Sequence, residues 1–149
     1  MLLCFSTPWV FLGLFVLRHT VANYRLTVRL NEPFCYTEIS YSDFKSLIEK
    51  GEDLVIVDVR SKAEVDKGHI PGSIHIPVEN VGSDLSLDPD AFKEKFGMPK
   101  PPLDAPNLVF HCQLGRRGEA ATEKARSLGF QYARNFAGGY KEWSEKERK

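Results

Sequence analysis

Residues 108–126, LVFHCQLGRRGEAATEKAR, decide how this chain is read. An apolar run from Leu108 to His111 leads into Cys112, and Gly115 then precedes a pattern with Ala120, Ala121, Ala125 and Leu128 at helical spacing. A strand that passes through a glycine-containing turn into a helix aims several unpaired backbone N–H groups at one point. Here that point holds a thiol followed by two guanidinium groups, Arg116 and Arg117. Such surroundings favour the thiolate, the nucleophilic form, which makes Cys112 a candidate nucleophile. The plainer alternative is a buried structural cysteine, because free cysteine is among the most buried residue types. Its position at a strand end, before glycine and two arginines, argues against that alternative.

Outward from this stretch, short apolar runs alternate with helical patterns, the signature of an α/β fold with a parallel sheet. Leu54-Val55-Ile56-Val57 is a continuous run suited to a strand covered on both faces, and it ends in Asp58-Val59-Arg60. Upstream, Ser40 with Asp43 opens a helix carrying Phe44, Leu47 and Ile48 on one face, and Gly51 closes it. Downstream, Ser61 with Glu64 forms a capping box for a short helix that closes at Gly68. Ile74-His75-Ile76 follows. Asp88-Pro89 reads as an N-cap with proline at the first helical position, and Gly97 ends that helix. Residues 98–106 hold four prolines and read as an extended connection, and residues 132–136 as a last short strand before a helix with Trp143. Ligands of an open parallel sheet collect beyond the carboxyl ends of its strands, so Cys112 and the turn after Asp58 should face one cleft.

These residues resemble the rhodanese (sulfurtransferase) family in three ordered motifs: DVRSKAEVDKGHIPGSIHIP at 58–77, CQLGRR at 112–117 and NFAGGYKEW at 135–143. The likeness is to its small single-domain thiosulfate sulfurtransferases. The resemblance implies a single α/β domain over residues 36–149, with a central parallel sheet of about five strands and helices on both faces. It also implies that Cys112 takes the sulfane sulfur of thiosulfate or a similar small-molecule donor as a persulfide. The sulfur then passes to a thiol acceptor, such as glutathione, thioredoxin or a protein thiol, or to cyanide. No cofactor and no metal are required. The donor would be bound by Gln113, Leu114, Gly115, Arg116, Arg117 and Gly118, with Arg117 ahead of Arg116 because it closes the loop. Solvated first-turn arginines are the alternative, although cations are unfavourable near a positive helix N-terminus unless an anion is present. Asp58, Arg60 and Glu64 are expected to form an ion-paired scaffold around the cleft.

Two other functions compete. One is a non-catalytic or persulfide-carrying rhodanese-like interaction module. The other is a cysteine-dependent phosphatase, whose signature places arginine six residues after cysteine, whereas position 118 here is Gly and the arginine comes at 117. A smaller ring of N–H donors suits a sulfur atom better than a tetrahedral oxyanion. Among the remaining candidates, His111 is expected in the core, facing away from Cys112 by strand alternation, and His69 and His75 are expected to be packed or hydrogen-bonded. Phe136, Tyr140 and Trp143 read as a hydrophobic lid, with Trp143 on the acceptor side of the cleft.

Composition narrows the setting. The chain has 149 residues with 20 basic and 20 acidic side chains. All of residues 1–31 are free of acid and carry Arg18, Arg25 and Arg29, so the rest is mildly acidic and offers no footprint for nucleic acid. Three cysteines, Cys4, Cys35 and Cys112, lack the paired spacing of a disulfide framework or zinc site and suit an intracellular, reducing compartment. Cys35 reads as a plain free cysteine rather than a resolving thiol. Residues 1–35 form a separate apolar, arginine-bearing segment, and residues 1–17 have no charged side chain and are the only route to membrane contact. A signal-anchor holding the domain in the cytosol, a mitochondrial presequence, a secretory signal and a start of no targeting value all remain open readings.

Overall fold

The computed structural model describes residues 37–51 and 53–149. The targeting readings of residues 1–35 and the reading of Cys35 lie outside the described residues. In chain order the elements are β1 (Glu38–Ile39), α1 (Tyr41–Lys50), β2 (Leu54–Asp58), α2 (Lys62–Asp66) and β3 (Ser73–His75). A 3₁₀ turn (Val78–Asn80) then runs into α3 (Val81–Leu85), α4 (Pro89–Phe96), β4 (Asn107–His111), α5 (Arg116–Ser127), β5 (Arg134–Phe136) and α6 (Gly139–Glu147). Among the described residues no helix is long and apolar enough to cross a membrane.

The five strands form one parallel sheet in the order β1-β5-β4-β2-β3. Strands β2 and β4 lie inside it, covered on both faces, which is why their sequences are continuous apolar runs instead of alternating ones. Successive side chains still point to opposite faces. Val57, Leu108 and Phe110 pack with Leu85 of α3, Phe92 of α4 and Ala121 and Ala125 of α5. Ile56, Val109 and Phe136 pack with Phe44 of α1 and Trp143 of α6. After β2 the chain moves outward to β3, and after β4 it moves the opposite way to β5. The carboxyl ends of β2 and β4 therefore diverge at a switch point, where a cleft can open.

The local signals held in most places. Ser40 accepts the Asp43 N–H at 3.2 Å, Gly51 closes α1 in the left-handed region, and both halves of the Ser61–Glu64 capping box are made. Three details differ. Asp88 makes no side-chain cap, although its carbonyl accepts the Phe92 N–H at 2.9 Å. The last strand begins at Arg134 because Tyr132 is exposed in the preceding turn. The 3₁₀ turn and α3 were not anticipated: Asn80, Gly82 and Ser83 interrupt the apolar pattern, and burial of Val81 and Leu85 holds the segment in place.

At the carboxyl ends of β2 and β4 lies a polar core. Register pairs Asp58 with His111 across β2 and β4, and both are fully buried. Arg60, 1% exposed, wraps back so that its Nε donates to Asp58 Oδ1 at 2.9 Å and its Nη2 to Oδ2 at 2.6 Å. Burial alone would raise the Asp58 carboxyl, but these bonds outweigh it and hold the group below its ordinary value. Burial pushes the His111 ring down to about 4, so it is neutral at pH 7 and Nε2, 3.8 Å from Asp58 Oδ2, forms no ion pair there.

Replacing Asp58 by Asn leaves Arg60 buried without its counter-charge, and denaturant unfolding should show a loss of about 3–5 kcal/mol; a loss below about 1 kcal/mol would contradict the pairing. The depressed His111 value implies that its neutral form stabilises the fold above pH ~6.5. About 3 kcal/mol should be lost as pH falls toward ~4. The slope of unfolding free energy against pH in that window should flatten in His111→Gln, and equal slopes in the two proteins would refute it.

Candidate active site

Cys112 follows the last residue of β4 and is 2% exposed. Its Sγ accepts the backbone N–H of Gly115 at 3.0 Å, so the loop 112–117 curls over its own sulfur. Three carbonyls of this loop are bonded to other elements. Cys112 O accepts the Tyr140 N–H at 2.8 Å, Gln113 O accepts the Lys141 N–H at 3.2 Å, and Gly115 O accepts Nδ2 of Asn135 at 3.1 Å. The first two donors belong to the opening turn of α6, whose N–H groups have no partner inside their own helix. Every peptide here is trans, so each bonded carbonyl turns the next residue's N–H the opposite way. The N–H groups of Gln113, Leu114 and Arg116 point away from these partners and have no acceptor among the described residues.

Glycine is needed where the backbones meet. Gly115 has φ 92°, and a Cβ there would lie 2.4 Å from Ala137 O. Gly139, with φ 61°, brings α6 so close that a Cβ would lie 2.5 Å from Cys112 O.

The structure distributes the expected site residues unequally. Gly118 is buried in the first turn of α5 against Asn135. Gln113 is half-buried, and its Oε1 accepts Arg60 Nη1 at 3.3 Å. Leu114 is 63% exposed at the loop surface. Arg116 is exposed and has no charged partner among the described residues. Arg117 instead makes two bonds to Glu64, Nη1 to Oε2 at 2.7 Å and Nη2 to Oε1 at 2.8 Å. Those bonds hold the Glu64 carboxyl well below and the Arg117 guanidinium above their ordinary values. The expected scaffold is therefore two separate pairs, Asp58 with Arg60 in the interior and Glu64 with Arg117 at the rim. The anion beside the helix N-terminus that makes an arginine favourable there is supplied by the protein itself.

Other expectations need correction. Phe136 and Trp143 are no lid: they are buried with Phe44 in the core, Phe136 stacking on Phe44 at 4.7 Å and Trp143 meeting it edge-on. Tyr140 does face the site, its ring 4.1 Å from the Arg60 guanidinium carbon. Arg60 thus joins Asp58, Gly68 O, Gln113 and Tyr140 in one buried assembly. His111 is in the core as expected, and His75 Nε2 lies 2.7 Å from Arg60 O, whereas His69 is exposed. Sequence reasoning missed the role of Asn135, which lies inside the quoted NFAGG motif but bonds a residue 20 positions away. Among the described residues no group of three or more His, Cys, Asp or Glu side chains is placed to hold a metal ion.

Comparison with known proteins agrees with this architecture. Residues 40–146 match the Rhodanese-like domain family. Human thiosulfate:glutathione sulfurtransferase is 46% identical over 109 residues, spanning 73% of this chain and 94% of that one. The mitochondrial thiosulfate sulfurtransferase RDL2 of Saccharomyces cerevisiae is 34% identical, covering 80% of this chain and 78% of its own. The solved structure of a human single-domain sulfurtransferase superposes with a TM-score of 0.71 at 44% identity, covering 74% of this chain and 96% of that chain. These relatives favour neither the phosphatase nor the non-catalytic alternative. With this match over most of its length and a parallel sheet ending in a cysteine loop, the chain belongs to the rhodanese-like domain family and is a sulfurtransferase of the rhodanese type.

Proposed function

We propose that the chain moves sulfane sulfur from thiosulfate, or a similar small anionic donor, through a persulfide on Cys112 to a thiol acceptor. The observation that carries this reading is the bond from the Gly115 N–H to Cys112 Sγ at 3.0 Å, inside a loop whose neighbouring N–H groups lack acceptors. The Cys112 thiolate attacks the outer sulfur of thiosulfate, the S–S bond breaks, and its electron pair leaves with sulfite. The new sulfur carries the negative charge, and the main-chain donors of residues 113–118 are the groups suited to hold it. A thiol then attacks that sulfur, loses its proton and takes the sulfur away as its own persulfide, restoring the Cys112 thiolate. No electrons enter or leave across the cycle.

Burial of Cys112 favours slim reagents. A thiosulfate ion or an extended tripeptide thiol is slim enough to suit a 2%-exposed cysteine within a loop, and the name of the human relative supports glutathione as the acceptor. Arg117 and the exposed Arg116 supply positive charge for a dianionic donor. In this proposal residues 36–149 form the catalytic domain and residues 1–35 an apolar, arginine-bearing anchor or targeting segment. A mitochondrial setting is supported by the name of the yeast relative.

Purified protein treated with thiosulfate should gain about 32 Da, one sulfur atom, by intact-mass spectrometry, and Cys112→Ser should gain nothing while melting like the parent. Equal uptake by the variant would place the sulfur elsewhere. Arg117→Ala should lower kcat/KM for thiosulfate roughly 5–150-fold through lost charge-assisted contacts, and unchanged thiosulfate kinetics would remove Arg117 from the donor site.

A further inference from the structure

Arg117 lies in the first turn of α5, five residues after Cys112 and at the end of the loop whose Gly115 N–H bonds that sulfur. Its orientation is fixed from outside the loop. Both terminal nitrogens are gripped by the two oxygens of Glu64, a contact that sets the plane as well as the position of the guanidinium. Glu64 is held in turn, because its Oε2 accepts the Ser61 N–H at 3.0 Å and the Ser61 hydroxyl at 2.8 Å. This capping box opens α2, a helix of five residues that is too short to be rigid on its own. The side chains of Arg117 and Glu64 are 39% and 33% exposed, and a lone pair of that exposure contributes little to stability. Its geometric effect is larger, since it ties α2 to the start of α5 across 53 residues of sequence. A guanidinium has five N–H groups, and a two-point grip on its end leaves three for other partners.

We propose that Glu64, locked by Ser61, is a positioning residue for sulfur transfer: it holds the Arg117 guanidinium beside Cys112, so that the cation is in place before an anionic donor arrives. This rests on the reading of Cys112 as the sulfur-accepting residue. A cation placed in advance binds the donor without first being ordered, so loosening it weakens donor binding and leaves the bond-making step nearly intact. The opposite reading, in which Glu64 merely occupies the donor's place on Arg117, predicts tighter donor binding when the carboxylate is removed.

The two are separated by single-turnover loading of the full chain with thiosulfate, followed by mass spectrometry. In Glu64→Gln, whose amide oxygen can still accept the Ser61 N–H, the half-saturating thiosulfate concentration should rise about tenfold while the limiting rate changes less than about threefold. Ser61→Ala changes no charge and should raise the half-saturating concentration in the same direction by about threefold. Faster or tighter loading in Glu64→Gln with no change in Ser61→Ala overturns the proposal. If Glu64→Gln fails to fold, Ser61→Ala decides alone, and wild-type loading in that variant overturns the proposal. Failure of the wild-type protein to take up sulfur contradicts the Cys112 reading and this inference with it. Normal wild-type loading with both variants unchanged contradicts this inference alone.

Discussion

The site depends on three hydrogen bonds that leave the loop instead of staying within it. A chain turning from β4 into α5 within a few residues could collapse its carbonyls onto its own amides. Here the amides of Tyr140 and Lys141 and the side chain of Asn135 take the carbonyls of Cys112, Gln113 and Gly115. Because a trans peptide sets carbonyl and amide in opposition, this leaves the Gln113, Leu114 and Arg116 amides without acceptors in the loop that holds Cys112. The closeness that makes it possible forbids a side chain at Gly115 and Gly139. Loop and last helix are therefore one structural unit, although 20 or more residues separate them in sequence.

Electrostatics follows the same division between scaffold and site. In the interior, Asp58 and Arg60 satisfy each other, and Arg60 spends its remaining contacts on Gly68 O, Gln113 and the Tyr140 ring. That pair lies beneath the loop, bonded to Gln113, and presents little free charge to a ligand. At the rim lie the cations Arg116 and Arg117, one without a charged partner among the described residues and the other held by Glu64. A neutral, buried His111 beneath the loop adds no charge of its own at pH 7.

Much of this was legible in the sequence because it is local. The apolar runs of β2 and β4, the Ser61–Glu64 box and the Cys112-to-Gly118 turn each declare themselves within a few residues. The parallel sheet follows from their alternation. Long-range partners were not legible. Nothing near Arg117 says that its partner is Glu64, and nothing near Asn135 says that it bonds Gly115. Trp143 and Phe136 read as a lid because aromatic residues near a site suit a lid and a core equally well. Only the packing of α6 on Phe44 places them in the core. The segment 78–85 was missed for the opposite reason: its small polar residues look like a loop, while two buried side chains, Val81 and Leu85, hold it helical.

In the proposed reaction main-chain N–H groups, and not a side chain, hold the transferred sulfur. Amide chemical shifts of isotope-labelled protein, before and after loading with thiosulfate, test it most directly. Downfield shifts concentrated at the amides of Gln113, Leu114, Gly115 and Arg116 are the expected result. Loading that leaves those four amides unmoved would contradict it.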